Sequence, residues 1–169
     1  MLFSIIEDRQ TLLPSAPSIQ IRGRGAVGNR AGRFEPYVVE MDDDGWLTEL
    51  DDLQPLRTTV GRDTSKSIIT TNKSPDISFD RSINPYRGCE HGCVYCFARP
   101  THAWLGLSPG LDFESRLFAK NDAAKLLQKE LAARAYAPKL IAIGTNTDPY
   151  QPIERKLRIM RDVLAVLRD

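Results

Sequence analysis

Three cysteines fall within eight residues, in the order Cys89-x-x-x-Cys93-x-x-Cys96, and the chain has no others. Thiols this close in sequence can be aimed at one centre by a tight loop, and Gly88 and Gly92 let the backbone double back. The residues allow four readings. Zinc could take the three thiolates with His91 or His102 as fourth ligand, although only Cys93-x-x-Cys96 has the knuckle spacing usual for zinc. A dithiol redox pair would use Cys93 and Cys96 and leave Cys89 unexplained. One disulfide with a free thiol is disfavoured because loops this short make poor staples. An iron–sulfur cluster usually takes four cysteines, so three would leave one iron open to a substrate or cofactor.

A chain of 169 residues with 27% charged residues and a net charge of +1 suits one soluble domain and predicts no bulk attraction to nucleic acid or acidic membranes. No apolar run approaches the about 18 residues of a membrane span. The start, Met1 to Asp8, lacks a basic n-region. Clustered thiols without a secretion signal point to a reducing compartment, so the expected location is cytoplasmic.

Three segments are expected. Residues 1–33 read as a flexible Gly/Arg-rich arm, either solvated or touching phosphates. Residues 34–76 read as a β-hairpin, Tyr37–Met41 and Trp46–Leu50 around Asp42-Asp-Asp-Gly45, followed by an irregular extension with a short strand at Ser67–Thr71. Residues 77–169 read as an α/β unit. Ile77–Ile83 alternates with period two and enters the cysteine loop through Asn84-Pro85. Phe113–Lys120 is ambiguous between strand and helix. Asn121 is a plausible N-cap for a helix from Asp122 to about Tyr136. Lys139–Gly144 reads as a strand buried on both faces. A continuous amphipathic helix is expected from about Glu154 to Leu167. The β-loop-α-β-loop-α order predicts a parallel pair of strands whose C-terminal loops, 84–96 and 144–154, face one cavity.

The words Ser82-Ile-Asn-Pro-Tyr-Arg-Gly-Cys-Glu-His-Gly-Cys-Val-Tyr-Cys96 and Thr147-Asp-Pro-Tyr-Gln-Pro-Ile-Glu154 resemble the radical S-adenosylmethionine superfamily. They are similar to its spore photoproduct lyase-like, DNA repair photolyase-like branch, and within it to an uncharacterised bacterial subfamily. The resemblance implies the N-terminal part of a partial, TIM-like (β/α)6 barrel behind an irregular, hairpin-bearing extension. The later units are absent after Asp169, so the chain is expected to be a fragment of a longer enzyme.

The resemblance further implies that Cys89, Cys93 and Cys96 hold a [4Fe–4S] cluster whose open iron chelates S-adenosylmethionine. An electron from a flavodoxin- or ferredoxin-type donor would cleave that cofactor to methionine and a hydrogen-abstracting 5′-deoxyadenosyl radical. The cofactors carry this chemistry and the protein orients them. Tyr95 would pack near the adenine, or else be a core aromatic. Many members carry Gly-Gly-Glu after the second strand; here Gly144-Thr-Asn-Thr-Asp148 stands there, and Asn146 or Asp148 would take the methionine amino group. His91 and His102 read first as local hydrogen-bonding residues. Arg87 and Arg99 either offset cluster charge or are solvated, and Glu154 reads as a helix N-terminal acid. The substrate is not specified, with DNA or another nucleic acid the class suggested by the branch. The rival is a zinc-stabilised nucleic-acid-binding module without catalysis.

Overall fold

The computed structural model describes residues 21–30, 32–34 and 54–168. The expected hairpin at 37–50 lies outside them. Three strand pairs are parallel, as α/β chains require when a crossover separates the strands. β3 (Thr59–Arg62) runs parallel to β7 (Arg116–Ala119), with Thr59 opposite Arg116. β5 (Arg81–Ile83) runs parallel to β8 (Ile141–Ile143), with Ile83 opposite Ile143. β4 (Ile69–Thr71) completes the second sheet in the order β4-β5-β8, and β6 (Tyr86–Arg87) completes the first in the order β3-β7-β6. A short pair, β1 (Ile21–Arg22) and β2 (Gln54–Pro55), stands apart. The fold is mixed α/β, and the described residues form no closed barrel.

Asn84-Pro85 is the corner at which the chain leaves one sheet for the other. Proline cannot donate to a ladder and so suits a switch point. The cysteine loop follows β6. A 3-10 helix, Arg99–Leu105, then ends at Gly106, whose left-handed φ of 66° closes the turn. Phe113–Lys120 proves to be both elements: α1 (Leu111–Ser115) gives way directly to β7.

α2 (Ala123–Leu131) is shorter than its pattern suggests, and Asp122 rather than Asn121 precedes it, with no side-chain cap. Glu130 on α2 accepts the N–H groups of Ile68 and Ile69, tying the helix to the start of β4. The expected last helix is two: α3 (Glu154–Leu157) and α4 (Ile159–Arg168), broken at Arg158 with φ 53°. Glu154 explains the break. Its carboxylate turns forward to accept the N–H groups of Met160 and Arg161, so a residue that opens α3 with its backbone caps α4 with its side chain.

One core joins Ile68, Ile83, Tyr86, Ala123 and Leu127 to Ile159, Met160 and Val163 of α4. Leu157, Leu164 and Leu167, expected on the buried half of the last helix, are instead partly open to solvent. β8 also differs from expectation. All three of its residues are only half-buried and Leu140 before it is 69% exposed, because β8 forms a sheet edge with β5 on one side only.

Candidate metal centre

The loops after β5 and β8 lie against each other, stitched by side chains that span more than sixty residues of sequence. Asn84 bonds Thr145 through its amide and accepts the N–H of Asn146 at 2.8 Å. Gln151, fully buried, accepts the N–H of Glu90 at 3.0 Å and donates to the Gly88 carbonyl at 3.3 Å. The Glu90 carboxylate accepts the N–H of Ile153 and the Thr58 hydroxyl. Thr147 donates to the Tyr86 carbonyl. Buried polar groups are thus paired across the two loops, which fixes one loop relative to the other.

Cys89 is the buried thiol, and its N–H is bonded to the Phe113 carbonyl at 3.0 Å. Burial pushes this thiol up from its ordinary pKa. Against that, the backbone amides of His91 and Asp148, one on each loop, favour the thiolate. Cys96 packs on the same small cluster as Cys89, Ala98 and Phe113, while Cys93 is half-buried beside it. All three are free thiols. Among the described residues no group of three or more His, Cys, Asp or Glu side chains is already gathered to hold a metal ion. The donor set nonetheless fits a thiolate-held cluster: three soft ligands on one loop, turned by Gly88 (φ 77°) and Gly92 (φ 63°). Closing the three thiols on a common centre requires movement of the loop.

The histidines stand elsewhere. His91 Nε2 lies 3.2 Å from the Asp148 carboxylate, which also accepts the N–H of Tyr150. His102 is fully buried between Phe113 and Phe118, with Nε2 on the Arg116 carbonyl, and burial lowers its pKa. Tyr95 is 86% exposed, which overturns its reading as a core aromatic. Val94 and Phe97 beside it are also exposed, so the loop presents an apolar outer face. Asn146 and Asp148 are exposed on the opposing loop.

Residues outside the two motifs hold the cysteine loop from behind. Arg99, rather than being solvated, reaches the carbonyls of Cys93 (3.0 Å) and Gly92 (2.7 Å) and the carboxylate of fully buried Glu114. Glu114 also accepts the successive N–H groups of Arg24, Gly25 and Ala26. The Gly/Arg segment at 23–30, expected to be a flexible arm, is here a strap on the back of the loop. A Cβ on Gly25 would lie 1.8 Å from the Gly92 carbonyl oxygen, so only glycine admits this approach. Arg87 pairs with Asp63. The strap depends on a pairing ninety residues distant.

No family profile and no solved structure matches the chain. Over 99 residues it is 41% identical to an uncharacterized protein of Mycobacterium bovis, a match covering 57% of this chain and 29% of the relative. An uncharacterized protein of Mycobacterium tuberculosis matches with the same figures. An uncharacterized protein of Methanocaldococcus jannaschii is 27% identical over 101 residues, or 59% of this chain and 35% of the relative. The chain therefore spans about a third of the length of these curated relatives. No helix among the described residues is long and apolar enough to cross a membrane.

Proposed function

We propose that Cys89, Cys93 and Cys96 hold a [4Fe–4S] cluster and that the loop after β8 helps to seat S-adenosylmethionine against it, as in a radical S-adenosylmethionine enzyme. On this reading the β5/β8 pair begins a partial barrel completed by chain that the longer relatives carry. When bound, the cluster and cofactor supply one-electron reductive cleavage of a sulfonium C–S bond. The chain's own residues ligate, orient and shield. Cys89 is the anchor: buried, and given two N–H groups that favour its thiolate once a metal replaces the proton. Cys93 and Cys96 are the more accessible ligands. Asp148 and Asn146 stand on the facing loop as acceptors for a cofactor ammonium, and exposed Tyr95 offers a face for an adenine.

The observation that carries this reading is the pairing of the two loops through Asn84, Gln151 and Glu90, which holds the second polar loop against the thiol motif. The test is anaerobic reconstitution with iron and sulfide, iron counting, and EPR of the reduced protein with and without S-adenosylmethionine. A [4Fe–4S] signal that shifts on adding the cofactor and is lost in Cys89→Ala, Cys93→Ala and Cys96→Ala supports the reading. Zinc at the thiols with no cluster, in this chain and in a full-length relative, overturns it in favour of a zinc-stabilised binding module.

A further inference from the structure

The carboxyl ends of β3 and β7 lie side by side at Arg62 and Ala119, and α2 starts at Ala123. Between them is a cavity of about 440 Å³ that shares no lining residue with the two loops of the metal centre. Lys120 lines it and is only 8% exposed. Its ammonium has no hydrogen bond or ion pair among the described residues. Burial of the side chain, with no carboxylate bonded to it, lowers the pKa of Lys120.

The carboxylates nearby are already engaged. Asp63 accepts from Arg87 and Ser65, and Asp122 pairs with Arg62. Glu130, whose field also reaches Lys120, accepts two backbone N–H groups. Lys66 and Lys129 also line the cavity, are exposed, and have no ion-pair partner among the described residues. Three lysines therefore line one cavity together with Asp63 and Asp122, each of which is paired with an arginine. The carboxyl ends of parallel strands and the positive end of a helix add to the same preference.

We propose that this cavity is an anion site that takes a phosphate group, with Lys120 at its floor and Lys66 and Lys129 at its rim. Ammonium point charges from three separate segments of the chain suit a tetrahedral dianion. A planar carboxylate would call for a guanidinium fork, and both nearby forks are held by aspartates. The site does not depend on the function proposed for the thiols.

Isothermal titration of the full chain with inorganic phosphate, at ionic strength held constant with chloride, tests the site. A short single-stranded oligonucleotide in a second titration separates a small phosphate ligand from a nucleic-acid backbone. Saturable phosphate binding is expected, weakened by about ten-fold or more in Lys120→Met, the loss set by one charge-assisted contact. Oligonucleotide binding that falls by the same factor assigns the phosphate to a strand; inorganic phosphate binding alone assigns it to a small molecule. Absence of both, or unchanged affinity in Lys120→Met, overturns the proposal. Should Lys120→Met fail to unfold cooperatively, the doubly substituted Lys66→Ala, Lys129→Ala chain carries the test, since both side chains are exposed. Unchanged phosphate affinity there overturns the proposal equally.

Discussion

Arg99 links the buried carboxylate of Glu114 to the carbonyls of Gly92 and Cys93, so a charge with no solvent exposure sets the path of the cysteine loop. Replacing Glu114 by Gln keeps the shape and removes the charge. Removing one partner of a buried ion pair typically costs about 3–5 kcal/mol, and Glu114→Gln should approach the lower end because the amide oxygen can still accept from the strap. Urea unfolding measures the loss. A shift within about 0.5 kcal/mol, the range of ordinary surface changes, would show that the loop does not lean on this pair.

The thiols should differ in reactivity in the order that burial dictates. Thiolate is the reactive form, and Cys89 is both 7% exposed and raised in pKa by its burial. Alkylation with iodoacetamide near pH 8, read by peptide mass spectrometry, should modify Cys93 and Cys96 well before Cys89. Cys89 labelling at the same rate as the others would mean that its two N–H donors outweigh its burial.

The parallel pairing of β5 with β8 and the meeting of loops 84–96 and 144–154 were legible because they rest on local signals. An apolar run and two polar loops at strand ends leave few arrangements, although of the alternating Ile77–Ile83 run only Arg81–Ile83 is strand and Ile77 is exposed. The break at Arg158 was not legible. The amphipathic period passes straight through it, and the break follows from where one carboxylate, Glu154, finds its donors. The strap was hidden for a similar reason. Arg and Gly in residues 22–33 have the composition of a solvated tail, and only the folded position of Glu114 gives their N–H groups an acceptor. Tyr95 shows the limit of motif reading: its place beside Cys96 says nothing about which side of the loop it faces.

Gly25 should be intolerant of a side chain. A methyl group there would collide with the Gly92 carbonyl oxygen at 1.8 Å, a backbone atom that no rotamer change can move. Overpacking of this kind usually costs about 1–3 kcal/mol. Gly25→Ala should therefore either lower stability by that amount or release the strap. The two outcomes separate on alkylation, since a released strap exposes the back of the loop and speeds labelling of Cys93. Neither a stability loss nor faster labelling would mean that the strap is not seated on Gly92 in solution.

Tyr86 and Glu154 make a second buried link under the same loops, phenol to carboxylate, and burial first, then Glu154, raises the phenol pKa. Tyr86→Phe should cost about 1–3 kcal/mol because it leaves a carboxylate oxygen short of a donor. The cap that Glu154 places on α4 uses its other oxygen and should survive, so helical circular dichroism should hold while the unfolding midpoint falls. Loss of helical signal in the folded variant would show instead that the phenol positions the cap.

Lys120 gives a pH dependence with a definite sign. Its folded pKa lies below that of an unfolded lysine, about 10.4, chiefly through burial. Between the two values the unfolded chain carries the proton and the folded chain does not, so stability from this group rises with pH across that window. Below the folded pKa the full penalty is present. Cys89 acts oppositely at alkaline pH, because its raised thiol keeps a proton that the unfolded chain gives up. The contribution of Lys120 is therefore read as the difference between wild type and Lys120→Met in phosphate-free buffer. The Met variant should be the more stable chain at neutral pH, and its advantage should shrink as pH climbs toward that of free lysine. If the substitution lowers stability at neutral pH, the ammonium has a partner in the folded chain, and the cavity beside α2 is no longer a place where an anion is owed one.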